Sequence, residues 1–193
     1  LGKIHEGSYN VIDDRPEYAK TLFVPVSYAG YPVGYSEDSR TFADNCHYLR
    51  RSMANYSPRS CALSFHAVKN ITTGEGGAIL TDLEDIHREV RAFINHGIYH
   101  NYSVYPAPNY RMPDINAALG LSQLKRASYN RVLRQELANY YNRNLDDRVY
   151  KPLMHGAHSW HLFVIRLPKE YDRDFFFRAM RAENIGVQIH YKP

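Results

Sequence analysis

Two short apolar runs, 61–65 (Cys-Ala-Leu-Ser-Phe) and 78–80 (Ala-Ile-Leu), are bounded by turn residues and read as two buried strands. The one lysine between them is Lys69, followed by Thr72, Thr73, Gly74, Glu75, Gly76 and Gly77. This pairing constrains the chain more than any other stretch, because it ties a single amine to a strand–turn–strand unit. A lysine held between buried strands loses hydration, which lowers its pKa and frees the amine as a nucleophile. Schiff-base chemistry with a carbonyl requires that state. The alternative is a lysine whose stem packs along a hairpin while its amine reaches water. Gly74, Gly76 and Gly77 permit close approach of backbone to backbone or to a ligand, which an ordinary hairpin does not need.

Around this unit the pattern alternates strands and helices, the order of an α/β protein. Residues 22–26 read as a buried strand. Asp44, in Thr41-Phe-Ala-Asp44-Asn-Cys-His47, either ends a strand or caps a helix. Asp82 reads as the cap of a helix over about 83–95, with Ile86, Val90, Phe93 and Ile94 on one face and Gly97 as its stop. Pro113 and Asp114 open another helix, in which Ala117, Ala118 and Gly120 offer small faces. A long amphipathic helix follows, carrying Val132, Leu133, Leu137, Tyr140, Tyr141 and Leu145. Residues 160–167 read as a strand, 172–183 as a helix stopped by Gly186, and 187–191 as a second strand, together a βαβ unit.

Composition narrows the function classes. With 44% apolar and 23% charged residues the chain is a soluble globular type, not a disordered one. No apolar run approaches the about 20 residues that span a bilayer, and no leader sequence is recognisable, so no membrane association is expected. Two cysteines, Cys46 and Cys61, make no disulfide framework and fit a reducing cytoplasm. The sequons at Asn55, Asn70 and Asn101 then read as chance matches. Seventeen tyrosines beside 24 lysines and arginines raise a nucleic-acid binder as a rival, but the basic residues are scattered among acids and no recognition motif is present. A net charge of +4 serves an anionic small substrate equally well. His155, His158 and His161 share no face that would favour a metal. Gly74-x-Gly-Gly lacks the full dinucleotide fingerprint.

Ser64-Phe65-His66-x-x-Lys69 and the Thr72-to-Gly77 turn resemble the lysine-bearing segment of the DegT-type sugar aminotransferases. The likeness continues through residues 109–125 (from Asn109-Tyr-Arg-Met-Pro-Asp to Gln-Leu-Lys125), through 158–166 (His158-Ser-Trp-His-Leu-Phe-Val-Ile-Arg166) and into Gly186-Val-Gln-Ile-His-Tyr-Lys-Pro193. The resemblance implies an α/β fold of the pyridoxal-phosphate (PLP) transferase type, fold type I. It implies a partial large domain over 1–127, a connecting helix over 128–148 and the start of an α+β small domain over 149–193.

The resemblance also implies an activity, the transfer of an amino group, usually from glutamate, to a nucleotide-linked keto-sugar. The nearest relatives aminate C4 of a UDP-4-keto-6-deoxy-hexosamine or a related pentose. Lys69 would hold PLP, Asp44 would face its ring nitrogen, and His47 would pack or hydrogen-bond near the ring. Ser64 and Asn109 would reach its phosphate, Asn109 that of the neighbouring subunit, so a homodimer with shared sites is expected. His190, Tyr191 and Lys192 would approach the nucleotide-sugar. Relatives that remove a sugar 3-hydroxyl carry histidine where Lys69 stands. The chain departs from the family in Ser27, where histidine is usual, and in short connections at 33–44 and 97–109. It also lacks the family's N-terminal phosphate cradle, so a non-catalytic regulatory module of the same fold is the second rival.

Overall fold

In a computed structural model of the protein, which describes residues 22–33, 40–49 and 59–191, the lysine-bearing unit is part of a three-stranded sheet. Its strands are β1 (Phe42–Asp44), β2 (Ser60–Ser64) and β3 (Gly77–Thr81), in that spatial order. β1 runs parallel to β2 with Asp44 opposite Ala62. β2 runs antiparallel to β3 with Ser64 opposite Gly77. Three helices follow, α1 (Glu84–Phe93), α2 (Asp114–Asn144) and α3 (Arg173–Ala182), with a small hairpin of β4 (Ile98–Tyr99) and β5 (Tyr102–Ser103) after α1. The α/β class expected from the pattern is the one observed.

Several local expectations change. The 22–26 segment makes only single parallel bridges, Phe23 to Thr41 and Val26 to Asp44. Pro25, between them, has no N–H to continue a ladder. β2 is buried as expected, with Cys61 fully enclosed, but Ile79 and Leu80 of β3 are 42% and 40% exposed. β3 is an outer strand, and its apolar residues are not core among the described residues.

Helix ends also move. Leu83, not Asp82, occupies the N-cap of α1, and the Asp82 carboxylate is drawn instead to Arg59 Nε at 3.2 Å. Gly97 does stop that helix. Its φ of +72° is left-handed, and an added Cβ would lie 1.5 Å from the Tyr105 carbonyl oxygen. The two helices expected between 113 and 148 are one helix of 31 residues that ends at Asn144. No proline interrupts it, and Leu124, Lys125, Arg126 and Ala127 are all good helix formers.

Beyond α2, residues 160–167 and 187–191 form no strands among the described residues. Only a single bridge, Tyr150 to Arg166, is made there. Two extended segments without a third partner are marginal in water, and Trp160 breaks the first of them with φ +48°. α3 is capped by Asp172, whose carboxylate accepts from the backbone N–H groups of Asp174 (2.8 Å) and Phe175 (3.0 Å). Its stop is Asn184 at φ +59° rather than Gly186, asparagine being tolerant of that conformation.

The buried residues gather behind the C-terminal end of β1. There the turn at Tyr28–Gly30, residues 45–49 and the 157–162 segment meet. Ser159 is the junction. Its N–H donates to Gly30 O (2.8 Å), and its hydroxyl both accepts from Leu49 N–H and donates to Leu49 O, each at 2.9 Å. Its carbonyl accepts from Asn70 Nδ2 at 2.7 Å. This strap fixes the end of β1 against the turn that carries Lys69.

Candidate active site

The chain leaves β2 at Ser64 and returns at Gly77, and the loop between is closed at its neck by backbone hydrogen bonds. Phe65 N–H donates to Gly76 O (2.8 Å) and Thr73 N–H donates to Phe65 O (2.9 Å). The Thr72 hydroxyl donates to the same Phe65 carbonyl at 3.2 Å and accepts from Gly74 N–H at 2.8 Å. A Cβ on Gly77 would lie 2.7 Å from Leu63 O, and one on Gly76 would lie 2.6 Å from Thr73 Oγ1. Gly77 therefore serves close backbone packing, and Gly76 leaves room for the Thr73 and Met112 side chains.

Lys69 sits on the far side of this loop, its N–H bonded to His66 O at 3.0 Å. It is half-buried on the turn rather than enclosed between the strands. Among the described residues its Nζ has no hydrogen-bond or ion-pair partner. An amine so placed keeps its lone pair available once deprotonated, as nucleophilic catalysis requires.

A crevice beside Lys69 is lined by Cys46, His47, Ser64, Phe65 and Asn70, among others. Its enclosed space is about 10 Å³, room for one water. Asp44 ends β1 at the same place. Its Oδ1 accepts from Cys46 N–H at 3.0 Å. The Cys46 thiol is pushed up to about 12, by burial first and then by its hydrogen bond to Asp44. Lys69 lines the crevice together with Cys46 and His47, and Asp44 meets it through its bond to Cys46 N–H.

His47 is held as a neutral ring. Its Nδ1 accepts from Ala29 N–H at 3.3 Å, and its ring lies 5.8 Å from Tyr28 and 4.5 Å from His161. Burial, with the Lys69 charge second, lowers its pKa to about 4. Burial lowers His161 and His158 to about 3. In each case the native state binds fewer protons than the unfolded chain between the ordinary histidine value of 6.5 and the folded value. Stability is therefore full above about pH 6.5 and falls as pH drops toward 4. Denaturant midpoints measured from pH 7.5 to pH 4.5 are expected to fall steadily. Replacing His47 by glutamine should flatten part of that slope.

The expected site residues divide. Lys69, Asp44, His47 and Ser64 come together. Ser64 Oγ accepts weakly from His66 N–H at 3.4 Å. The His190 carbonyl accepts from the Tyr28 hydroxyl at 2.9 Å, which brings the 190–191 segment to the Tyr28 side of His47. Lys192 lies outside the described residues. Asn109 is not in this crevice. It bridges Asn95, and its side-chain oxygen accepts from Arg111 N and Nε, both at 3.1 Å.

Tyr28, His161 and Asn116 were invisible as site residues in the sequence. They meet the lysine region across the fold, with no spacing signal to connect them. The donor set of amine, strand-end carboxylate, hydroxyl and imidazole fits the groups of pyridoxal phosphate.

The sheet thus ends in an acid, with a neutral imidazole beside it and, on a clamped glycine turn, a lysine whose amine has no partner among the described residues. Residues 43–193 match the family described as the DegT/DnrJ/EryC1/StrS aminotransferase family, and the chain belongs to it. It is 30% identical over 226 residues to the uncharacterised protein MJ1066 of Methanocaldococcus jannaschii, an alignment covering 98% of this chain and 58% of that protein. Because 226 exceeds the chain's 193 residues, that relative carries segments this chain lacks.

Among solved structures, Helicobacter pylori PseC, an aminotransferase involved in the biosynthesis of pseudaminic acid, superposes with a TM-score of 0.84 at 27% identity. The match covers 98% of this chain and 58% of PseC. A DegT DnrJ EryC1 StrS aminotransferase from Brucella abortus shares the fold at TM-score 0.83 and 22% identity, over all of this chain and 59% of that one. The chain spans less than two thirds of the length of each.

Proposed function

We propose that this chain is the lysine-bearing portion of a PLP-dependent aminotransferase acting on nucleotide-linked keto-sugars. The observation that carries the reading is the Lys69 Nζ, without a hydrogen-bond or ion-pair partner among the described residues, in a crevice that His47 and Ser64 also line and that Asp44 adjoins through Cys46. Bound pyridoxal phosphate supplies an electron sink for the carbanion left when an amino donor loses its α-proton. Lys69 would hold the cofactor through its amine and, when its amine is free, would move that proton at Nζ as general base and then acid. Asp44 would keep the ring nitrogen protonated, and neutral His47 would pack beside the ring without adding charge. Ser64 donates to the phosphate, and Asn109 serves the phosphate of a second copy, which makes the working unit a homodimer.

In this reading residues 1–127 belong to the cofactor-binding domain and 149–193 to the small domain. His190, Tyr191 and Lys192 contact the nucleotide-sugar. The donor is glutamate, and the acceptor is C4 of a UDP-4-keto-6-deoxy-hexosamine. The sequence likeness to PseC supports that choice, and two free thiols fit a cytoplasmic location. Protein loaded with pyridoxal phosphate and mixed with glutamate is expected to lose its visible-edge absorbance and release one equivalent of 2-oxoglutarate. Bound cofactor whose spectrum ignores every amino acid offered would refute catalysis and favour the regulatory module.

A further inference from the structure

We infer that Asn116 is the positioning residue for Lys69: from the first turn of α2 its amide bolts the neck of the lysine loop to the helix. The inference rests on the aminotransferase reading for what Lys69 does, but its geometry stands apart from it. Side chains on a helix lean toward its N-terminus, and Asn116, the third residue of α2, reaches back over the turn. Its Nδ2 donates to Thr73 O at 2.7 Å and to Glu75 O at 3.3 Å. Thr73 is only 3% exposed, so its carbonyl has no ready exchange with water. The Thr73 N–H closes the loop onto Phe65, the first residue after β2. Whatever fixes Thr73 therefore fixes both ends of the loop on which Lys69 stands.

The helix approaches this neck as closely as the sequence allows. Gly120, one turn beyond Asn116 and on the same face, leaves no room for a side chain. A Cβ there would lie 2.8 Å from Thr73 Cγ2. Met112, just before the helix, closes the other side, 2.8 Å from where a Gly76 Cβ would stand. A neutral amide suits the position because it donates two hydrogens without bringing charge. Aspartate, nearly the same shape, would set a carboxylate against two carbonyl oxygens.

The test compares Asn116→Ala, Asn116→Asp and Asn116→Gln with the unaltered protein by two readouts. In the cofactor-free chain, amide hydrogen exchange at Phe65 and Thr73 is expected to quicken about tenfold or more for Asn116→Ala and Asn116→Asp. Protection at Cys61 and Leu80, paired within the sheet, should hold. With pyridoxal phosphate added, the rate of borohydride-trapped attachment to Lys69 should drop about tenfold or more in the same two variants. Asn116→Gln, which keeps the amide, should recover part of both. Unchanged neck exchange overturns the proposal, and so does a loss of protection spread evenly through β2 and α2, which marks a merely structural residue. If the unaltered protein captures no cofactor, the aminotransferase reading falls. The neck amides then decide alone, faster exchange supporting Asn116's role and unchanged exchange ending it.

Discussion

Lys69→Ala should abolish covalent capture of pyridoxal phosphate. Borohydride treatment of the loaded protein should leave a mass adduct on the peptide containing residue 69, and the variant should carry none. The expectation follows from the absence of any competing partner for Nζ among the described residues, and from the loop that holds it in place. Lys69→Arg separates charge from chemistry: the guanidinium stays protonated and cannot attack an aldehyde, so it should fail as completely as alanine. Amino transfer should fall by about 10²–10⁴-fold in either variant, the usual worth of a positioned acid–base group. Asp44→Asn is the companion test. It should leave the adduct intact but alter its absorbance and slow donor turnover, because the ring nitrogen would lose its anionic partner. An adduct on another lysine in the Lys69→Ala protein would defeat the assignment.

How much of this was legible in the sequence depended on how local each feature is. The lysine between two strands, Asp44 at a strand end and Gly97 after a helix are signals carried within a few residues. The structure keeps all three. What sequence alone did not reveal is set by contacts between distant residues. The Asn116–Thr73 bond joins residues 43 positions apart, and Ser159 reaches Leu49 across 110. No periodicity marks either one. The apolar run Ala78-Ile-Leu80 looks buried because strand patterning reports hydrophobicity, whereas burial depends on what lies across the sheet. Residues 160–167 misled for the same reason, since an apolar, β-branched run needs a neighbouring edge before it becomes a strand.

That second segment carries the largest expected stability effect. Trp160 is 3% exposed, and its ring stacks on His158 at 3.7 Å with 4° between planes. Its Nε1 donates to Gln135 Oε1 of α2 at 2.8 Å, and its carbonyl accepts from the Arg134 guanidinium at 3.1 Å. Trp160 thus ties the Ser159 strap to the long helix, and through the strap to the lysine loop. Trp160→Ala should cost about 3–5 kcal/mol, as other buried aromatic truncations do. That is a large fraction of the about 5–15 kcal/mol that keeps a domain folded. Trp160→Phe keeps most of the ring and loses the indole N–H, so only the unsatisfied Gln135 partner remains, at about 1–3 kcal/mol. Urea midpoints read by far-ultraviolet circular dichroism are the right measurement, since the chain's single tryptophan is the residue removed. Equal midpoints for the alanine and phenylalanine variants would mean that ring packing contributes nothing and that the strap is held by its backbone bonds alone.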